Sequence, residues 1–142
     1  RIMELASDIH FIGDLSSNGA GPIGRAIKTS KICGSQIELE LQLDESREKI
    51  VAFAIKPKAC ALGQASAAIL SHHIIGAKTD EVIKARDDLL LMLKEGGAFP
   101  SGRFWEQRYL EGVIDYPARH ASTMLAWEAA VSAIEMAIKV AA

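Results

Sequence analysis

The chain has 142 residues, 49% hydrophobic and 24% charged, which is ordinary globular usage and sets aside disorder, collagen-like repeats and a pure coiled coil. Sixteen Lys and Arg against eighteen Asp and Glu give a net charge of -2 with no basic block able to neutralise a row of phosphates, so nucleic acid is not an expected partner. No run reaches the roughly 18 to 20 apolar residues of a membrane span, and Arg1, Glu4 and Asp8 replace any charged-then-apolar export signal, so the expectation is one soluble, cytoplasmic domain over 1–142 without membrane contact.

The apolar residues Ile2, Leu5, Ile9 and Phe11 predict a short, weak helix ended by Gly13. Residues 16–22, dense in Ser, Asn, Gly and Pro, predict a surface loop, and Ile23 to Lys31 supplies an edge strand. From Gln36 to Leu43 the alternation is unbroken: Ile37, Leu39, Leu41 and Leu43 point one way and Gln36, Glu38, Glu40 and Gln42 the other, the pattern of a half-buried antiparallel strand. After the polar turn 44–49, Val51, Phe53 and Ile55 face one side and Ile50, Ala52 and Ala54 the other, predicting the hairpin partner.

Past Pro57 the period becomes helical through Leu62, Ala65, Ile69 and His72, with Gly76 as the stop. Thr79 is placed to cap a second helix through Leu93 to Gly96, and Ser101 to start a short third one carrying Phe104 and Trp105. Tyr116-Pro117 reads as an extended entry, and Ser122 is placed as the N-cap of a final helix toward Val140. The fold class is therefore α+β: a small antiparallel sheet of about three strands covered on one face by helices. Trp105, Tyr109 and Trp127 read as packing aromatics, and the charge runs at 45–49 and Asp87-Asp88 as solvated turns or faces.

Two cysteines stand at structural transitions: Cys33 before the alternating strand and Cys60 before the first long helix. In a cytosolic setting they are expected as thiols rather than a disulfide. Cys60 meets the unpaired amides and positive end of its helix, with Lys56 and Lys58 close in sequence, which favours a thiolate. If the loops before and after the hairpin meet at one end of the sheet, Cys33 and Cys60 become neighbours. The competing reading makes each a small buried hydrophobe.

Cys33-Gly34-Ser35-Gln36-Ile37, the strand pair, and then Cys60 followed by Ala65-Ser66-Ala67 resemble the NifU N-terminal / IscU-like family of iron-sulfur cluster assembly scaffolds, whose Cys-Gly-Asp and Cys-x4-Ala-Ser motifs frame the same hairpin. Tyr116 to Trp127 is similar to the third motif of the SufU-like branch, where Pro-x-Arg precedes a Cys and then Leu-Ala-Trp. The resemblance implies the α+β fold, a site of three Cys and one Asp, and a role in receiving sulfur from a cysteine desulfurase or holding a nascent cluster for acceptor proteins.

Two site positions differ: Ser35 stands for the Asp and Ser122 for the third Cys. A neutral hydroxyl is a poor ligand for a cluster or for zinc. Three repairs are open: His120 supplying an imidazole, His72 or His73 turning inward, or a homodimer pooling Cys33 and Cys60 into four thiolates. His72 and His73 diverge by about 100° on a helix, so at most one is expected to reach a common metal. Ser35 and Ser122 also have the plain roles of turn former and N-cap.

The implied function is a non-enzymatic scaffold or carrier for an iron-sulfur cluster or iron, with zinc as the alternative metal. A metal-free module docking on a desulfurase is the competing function, and a persulfide-accepting thiol carrier a third.

Overall fold

The alternating segment forms β2 (Gln36–Leu43) as expected, and the computed structural model of the chain sets it between β1 (Ile23–Thr29) and β3 (Ile50–Lys58) in an antiparallel sheet of order β1-β2-β3. The structure describes residues 1–32 and 34–141; Cys33 and Ala142 lie outside the described residues. Around the sheet run α1 (Ile2–Ala6), α2 (Ala61–His73), α3 (Thr79–Glu95) and α4 (His120–Lys139), with 3-10 segments at Gly102–Val113 and Pro117–Arg119. The α+β class holds.

Register explains which residues form the core. Leu39 pairs with Ile55 and with Ala26, and Leu41 with Phe53 and with Gly24, so these side chains share the inner face. The pairing shifts between Gln42 and Leu43, where Gln42 opposes Ala52 and Leu43 opposes Ile50, so Val51 is an extra residue. This bulge turns Ile50, fully buried, onto the same face as Phe53 and Ile55, where plain alternation had placed Val51.

α4 lies directly on that inner face because Gly24 leaves room for it: a Cβ there would stand 1.8 Å from the Ala133 carbonyl oxygen. Ala129, Ala130, Ala133 and Ala137, all buried, continue the close approach along the helix. On the outer face the Arg25 Nε–Glu40 Oε2 pair, 2.6 Å apart, bridges neighbouring strands.

Several local expectations change for physical reasons. Gln42, expected outward, is buried because its amide substitutes for missing backbone partners of the 16–22 loop: Nε2 donates to the Gly19 and Gly21 carbonyls, and Oε1 accepts from Asn18 N–H at 2.7 Å. The first helix stops at Ala6; beyond it Phe11 O accepts from Ile55 N–H and Gly13 N–H donates to Ile55 O, so this segment closes the edge of β3. α3 is capped one residue early, by Lys78, whose N–H is taken by the Glu81 carboxylate at 2.9 Å, and it ends at Gly96 in the left-handed region (φ 63°). The segment after Ser101 is 3-10 rather than α, broken at Phe104 (φ -100°, ψ 36°), whose ring meets Trp127 edge-on at 5.2 Å. Trp127 is fully buried and Tyr109 half-buried, but Trp105 is a surface residue, 38% exposed, beside the Arg108 guanidinium.

Candidate functional site

The register brings three chain segments to one end of the sheet. Thr29, the last residue of β1, pairs with Gln36, the first of β2, and Gln36 pairs with Lys58, the last of β3. The 30–35 turn and the Ala59-Cys60 step into α2 therefore leave the same edge. The turn is closed by Ser30 N–H on Ser35 O at 2.8 Å and Gly34 N–H on Ser30 O at 2.9 Å, with Gly34 in the left-handed region (φ 73°) that favours glycine. Cys33 lies outside the described residues, so the expected Cys33–Cys60 neighbourhood is carried forward as a proposal. Ser35 is buried in that turn.

Cys60 is the N-cap of α2, with extended backbone (φ -65°, ψ 168°), and its side chain is solvent-exposed. Its carbonyl accepts the Gln64 N–H at 2.9 Å, while the Gln64 amide donates to Ala59 O, so both residues before the helix are held. The buried hydroxyl of Ser122 stands 4.0 Å from Cys60 Sγ, joining the start of α2 to the start of α4 across 62 residues of chain. Gly63 makes this approach feasible: a Cβ there would lie 2.9 Å from Ala59 Cβ, 3.4 Å from Ser122 O and 4.0 Å from Cys60 Sγ.

A buried polar chain fixes the two helices just behind this contact. Ser66 Oγ donates to Thr123 O at 2.6 Å and accepts from Trp127 Nε1 at 2.9 Å, so one hydroxyl ties α2 to two positions of α4. Ser122 is not the N-cap of α4. That place is Arg119, and the Ser122 hydroxyl, three residues in, donates back to Arg119 O at 3.1 Å beside Thr123 Oγ1 at 2.8 Å. Serine and threonine hydroxyls reach back one turn in this way once inside a helix.

The histidines lie in two separate places. His120 is buried at the start of α4, and its Nε2–H is shared between the Val113 and Ile114 carbonyls at 2.9 and 3.2 Å, pinning the end of the 3-10 segment to the helix. It also lines a groove of about 710 Å3 with Thr29, the β1 residue paired with Gln36, and with Met124, Leu125 and Glu128. His72 and His73 close the far end of α2, about 18 Å from Cys60 at 1.5 Å per residue, and cannot share an ion with it. Although the two side chains leave the helix about 100° apart, His72 Nδ1 and His73 Nε2 both meet Glu106 Oε1, at 3.1 and 2.6 Å. Glu106 carried no sequence signal, being 33 residues away in an irregular segment.

Nor is Lys56 aimed at the thiol. Its ammonium pairs with Asp14 at 2.8 Å, and this hydrogen bond raises the lysine and lowers the carboxylate from their ordinary values.

What the arrangement offers is one accessible sulfur at a helix start, a hydroxyl fixed beside it, and a glycine turn delivered to the same edge. Residues 1–139 match the NifU-like N-terminal domain family. The chain belongs to that family. Among solved structures it is similar to a nitrogen-fixing NifU-like protein (N-terminal) from Brucella abortus, 41% identical with a TM-score of 0.89, covering 99% of this chain and 93% of that one. It is also similar to the iron-sulfur cluster assembly scaffold protein IscU of Thermotoga maritima, 26% identical over 134 residues, which are 94% of this chain and 89% of the relative. An assembly scaffold protein for the SUF system from Fervidobacterium islandicum AW-1 shares the fold, with a TM-score of 0.77 at 23% identity, over 94% of this chain and 93% of that one.

Within this NifU-like frame Cys60 and Ser122, which the sequence resemblance sets at the second and third motif positions, are in contact. No described helix is long and apolar enough to cross a membrane.

Proposed function

We propose that this chain is a cytoplasmic scaffold or carrier in iron-sulfur cluster assembly, with Cys60 and Cys33 as the thiolates that grip the cargo and Ser122 as the fixed hydroxyl beside Cys60. The observation that carries the proposal is the 4.0 Å approach of Cys60 Sγ to Ser122 Oγ where the starts of α2 and α4 converge, in a chain that matches the family over nearly its whole length. The exposure of Cys60 supports delivery from a partner, because a sulfur or metal donor must reach it before any cluster exists. A cysteine desulfurase is the sulfur source this chemistry calls for, and iron-sulfur acceptor proteins are the recipients.

Two thiolates hold a cluster or iron less firmly than four, with zinc as the competing metal, so the reading is of a carrier that releases its cargo readily by ligand exchange. His120 serves this reading as a positioning residue, anchoring the start of α4 that presents Ser122. Two protomers pooling their thiolates would give a firmer site, and mass measurement of the loaded protein separates the two stoichiometries.

Anaerobic reconstitution with ferrous iron, desulfurase and cysteine is expected to yield a coloured protein, and Cys60→Ala to yield none. A native protein that stays colourless and holds no iron or zinc by elemental analysis refutes the proposal.

A second reading, a metal-free module that docks on the desulfurase, is favoured by one observation: the Ser122 hydroxyl already donates to Arg119 O. Its mark is desulfurase binding that survives replacement of both cysteines in a protein that takes up no metal.

A further inference from the structure

At the opposite end of α2 from Cys60, we propose a second metal site, in which His72 Nδ1, His73 Nε2 and Glu106 Oε1 bind one divalent transition-metal ion of the zinc type. Adjacent helical residues diverge, yet these two rings converge because they use different nitrogens. His72 presents Nδ1, near its root, and His73 presents Nε2, at its tip. Glu106, buried on the 3-10 segment, projects its carboxylate between them, and the three donor atoms all lie within 4.8 Å of one another.

The hydrogen-bonding capacity of His72 gives an independent argument. Its Nε2 lies 2.7 Å from the Asp8 carbonyl oxygen, an acceptor only, so Nε2 bears the proton there. In the neutral ring Nδ1 then directs its lone pair at a carboxylate oxygen 3.1 Å away. Lone pair against carboxylate is repulsive unless a cation lies between them, and the occupant is either a proton or a metal ion. A backbone carbonyl holding the far nitrogen is also the arrangement that orients metal-ligating histidines.

Ligand type and spacing narrow the class. Two imidazoles and one carboxylate suit zinc and its first-row neighbours rather than calcium or magnesium, which take oxygen. Tetrahedral ligation at about 2.0 to 2.1 Å sets donors about 3.3 Å apart. The 3.1 Å pair nearly meets this, and the 2.6 Å pair would open by about 0.7 Å, within the reach of side-chain rotation.

An entry path exists. A cleft of about 310 Å3 lined by Arg1, Glu4, Leu5, Asp8, His72 and Glu106 opens onto the cluster. Asp8 adds negative charge, its Oδ2 being 3.3 Å from His72 Nε2, with His10 beyond it. Arg1 opposes a cation, but it approaches Glu106 Oε2, at 4.0 Å, and leaves Oε1 to the histidines. Bound there, the ion would link α2 to the 3-10 segment and stabilise the fold by mass action.

The inference stands apart from the thiol proposal, and its test removes the thiols. Zn2+ is titrated calorimetrically into the Cys33→Ser, Cys60→Ser protein. One equivalent is expected to bind and to raise Tm. His73→Ala and Glu106→Gln should each weaken it about tenfold or more, while His10→Ala leaves it unchanged. Circular dichroism checks each fold. If a variant unfolds, Co2+ added to the cysteine-free parent gives the same readout, as paramagnetic shifts of the His72 and His73 imidazole protons. No Zn2+ uptake, uptake indifferent to His73→Ala, or Co2+ that leaves both rings unshifted overturns the inference.

Discussion

Ser122→Cys tests whether the helix convergence is a ligand site waiting on one atom. Two thiolates on one tetrahedral metal at about 2.3 Å stand about 3.8 Å apart. Cys60 Sγ and Ser122 Oγ are already 4.0 Å apart, so the new sulfur starts near ligating distance without any shift of α2 or α4. The cost is small. The hydroxyl hydrogen bond to Arg119 O is lost, worth about 1 kcal/mol, but that carbonyl keeps the Thr123 hydroxyl at 2.8 Å and is not left unpaired. A third thiolate should therefore tighten retention about tenfold or more, a gain of about 1.4 kcal/mol or more. The assay is chelator competition for bound Zn2+, together with the lifetime of the reconstituted chromophore, on protein whose thiols titrate as fully reduced. If the variant folds, is reduced, and releases both at the parent rate, the contact is ordinary packing and the ligand reading of Ser122 fails.

Three further outcomes follow from the geometry. Gly24→Ala sets a Cβ 1.8 Å from the Ala133 carbonyl, backbone that cannot rotate away, so urea unfolding should show a loss of about 3 kcal/mol or more; a loss below about 1 kcal/mol would mean α4 does not sit so close to β1. Gly63→Ala meets Ala59 Cβ at 2.9 Å beside Cys60, a methyl that can give way only with its backbone, so both the urea midpoint and the chromophore yield should fall; unchanged loading would show that the Cys60 position is not set by this contact. Burial alone would raise the Glu106 carboxyl, but hydrogen bonds and charge from His72 and His73 outweigh it and hold the group below its ordinary 4.5. A folded-state value below the unfolded one gives stability that is complete above the ordinary value and lost as pH falls through the folded value. The urea midpoint should thus fall more steeply on acidification for the parent than for Glu106→Gln, and parallel curves would refute the coupling.

The elements that a sequence makes legible are those whose pattern is carried by their own residues. β2 is bounded by its alternation, and α3 by a glycine stop at Gly96. Cys60 at a helix start was legible too, because Pro57 and the change of period mark the boundary. What stayed hidden depends on a partner distant in the chain. The face of Ile50 is decided by a bulge against Gln42, Gln42 is drawn inward by loop carbonyls more than 20 residues away, and His72 with His73 find Glu106 in a segment whose 3-10 geometry has no simple periodicity. Ser122 reads as a cap in sequence but stands inside α4, because a serine at the start of a helical run has the same local signal whether it precedes the helix or sits one turn inside it.

The Ser66 network shows what holds the starts of α2 and α4 together. One buried hydroxyl satisfies Thr123 O and Trp127 Nε1 together, and His120 pins the same helix start to the preceding segment through Val113 and Ile114. None of these bonds involves Cys60 or Ser122. The two helix starts are therefore held in contact by groups other than Cys60 and Ser122, so a change of side chain at 122 should leave their approach in place. If the proposed function holds, cargo affinity would depend on the side chains at 33, 60 and 122 while the approach of the helices is set behind them, so substitutions at 60 and 122 should alter retention far more than they alter the fold.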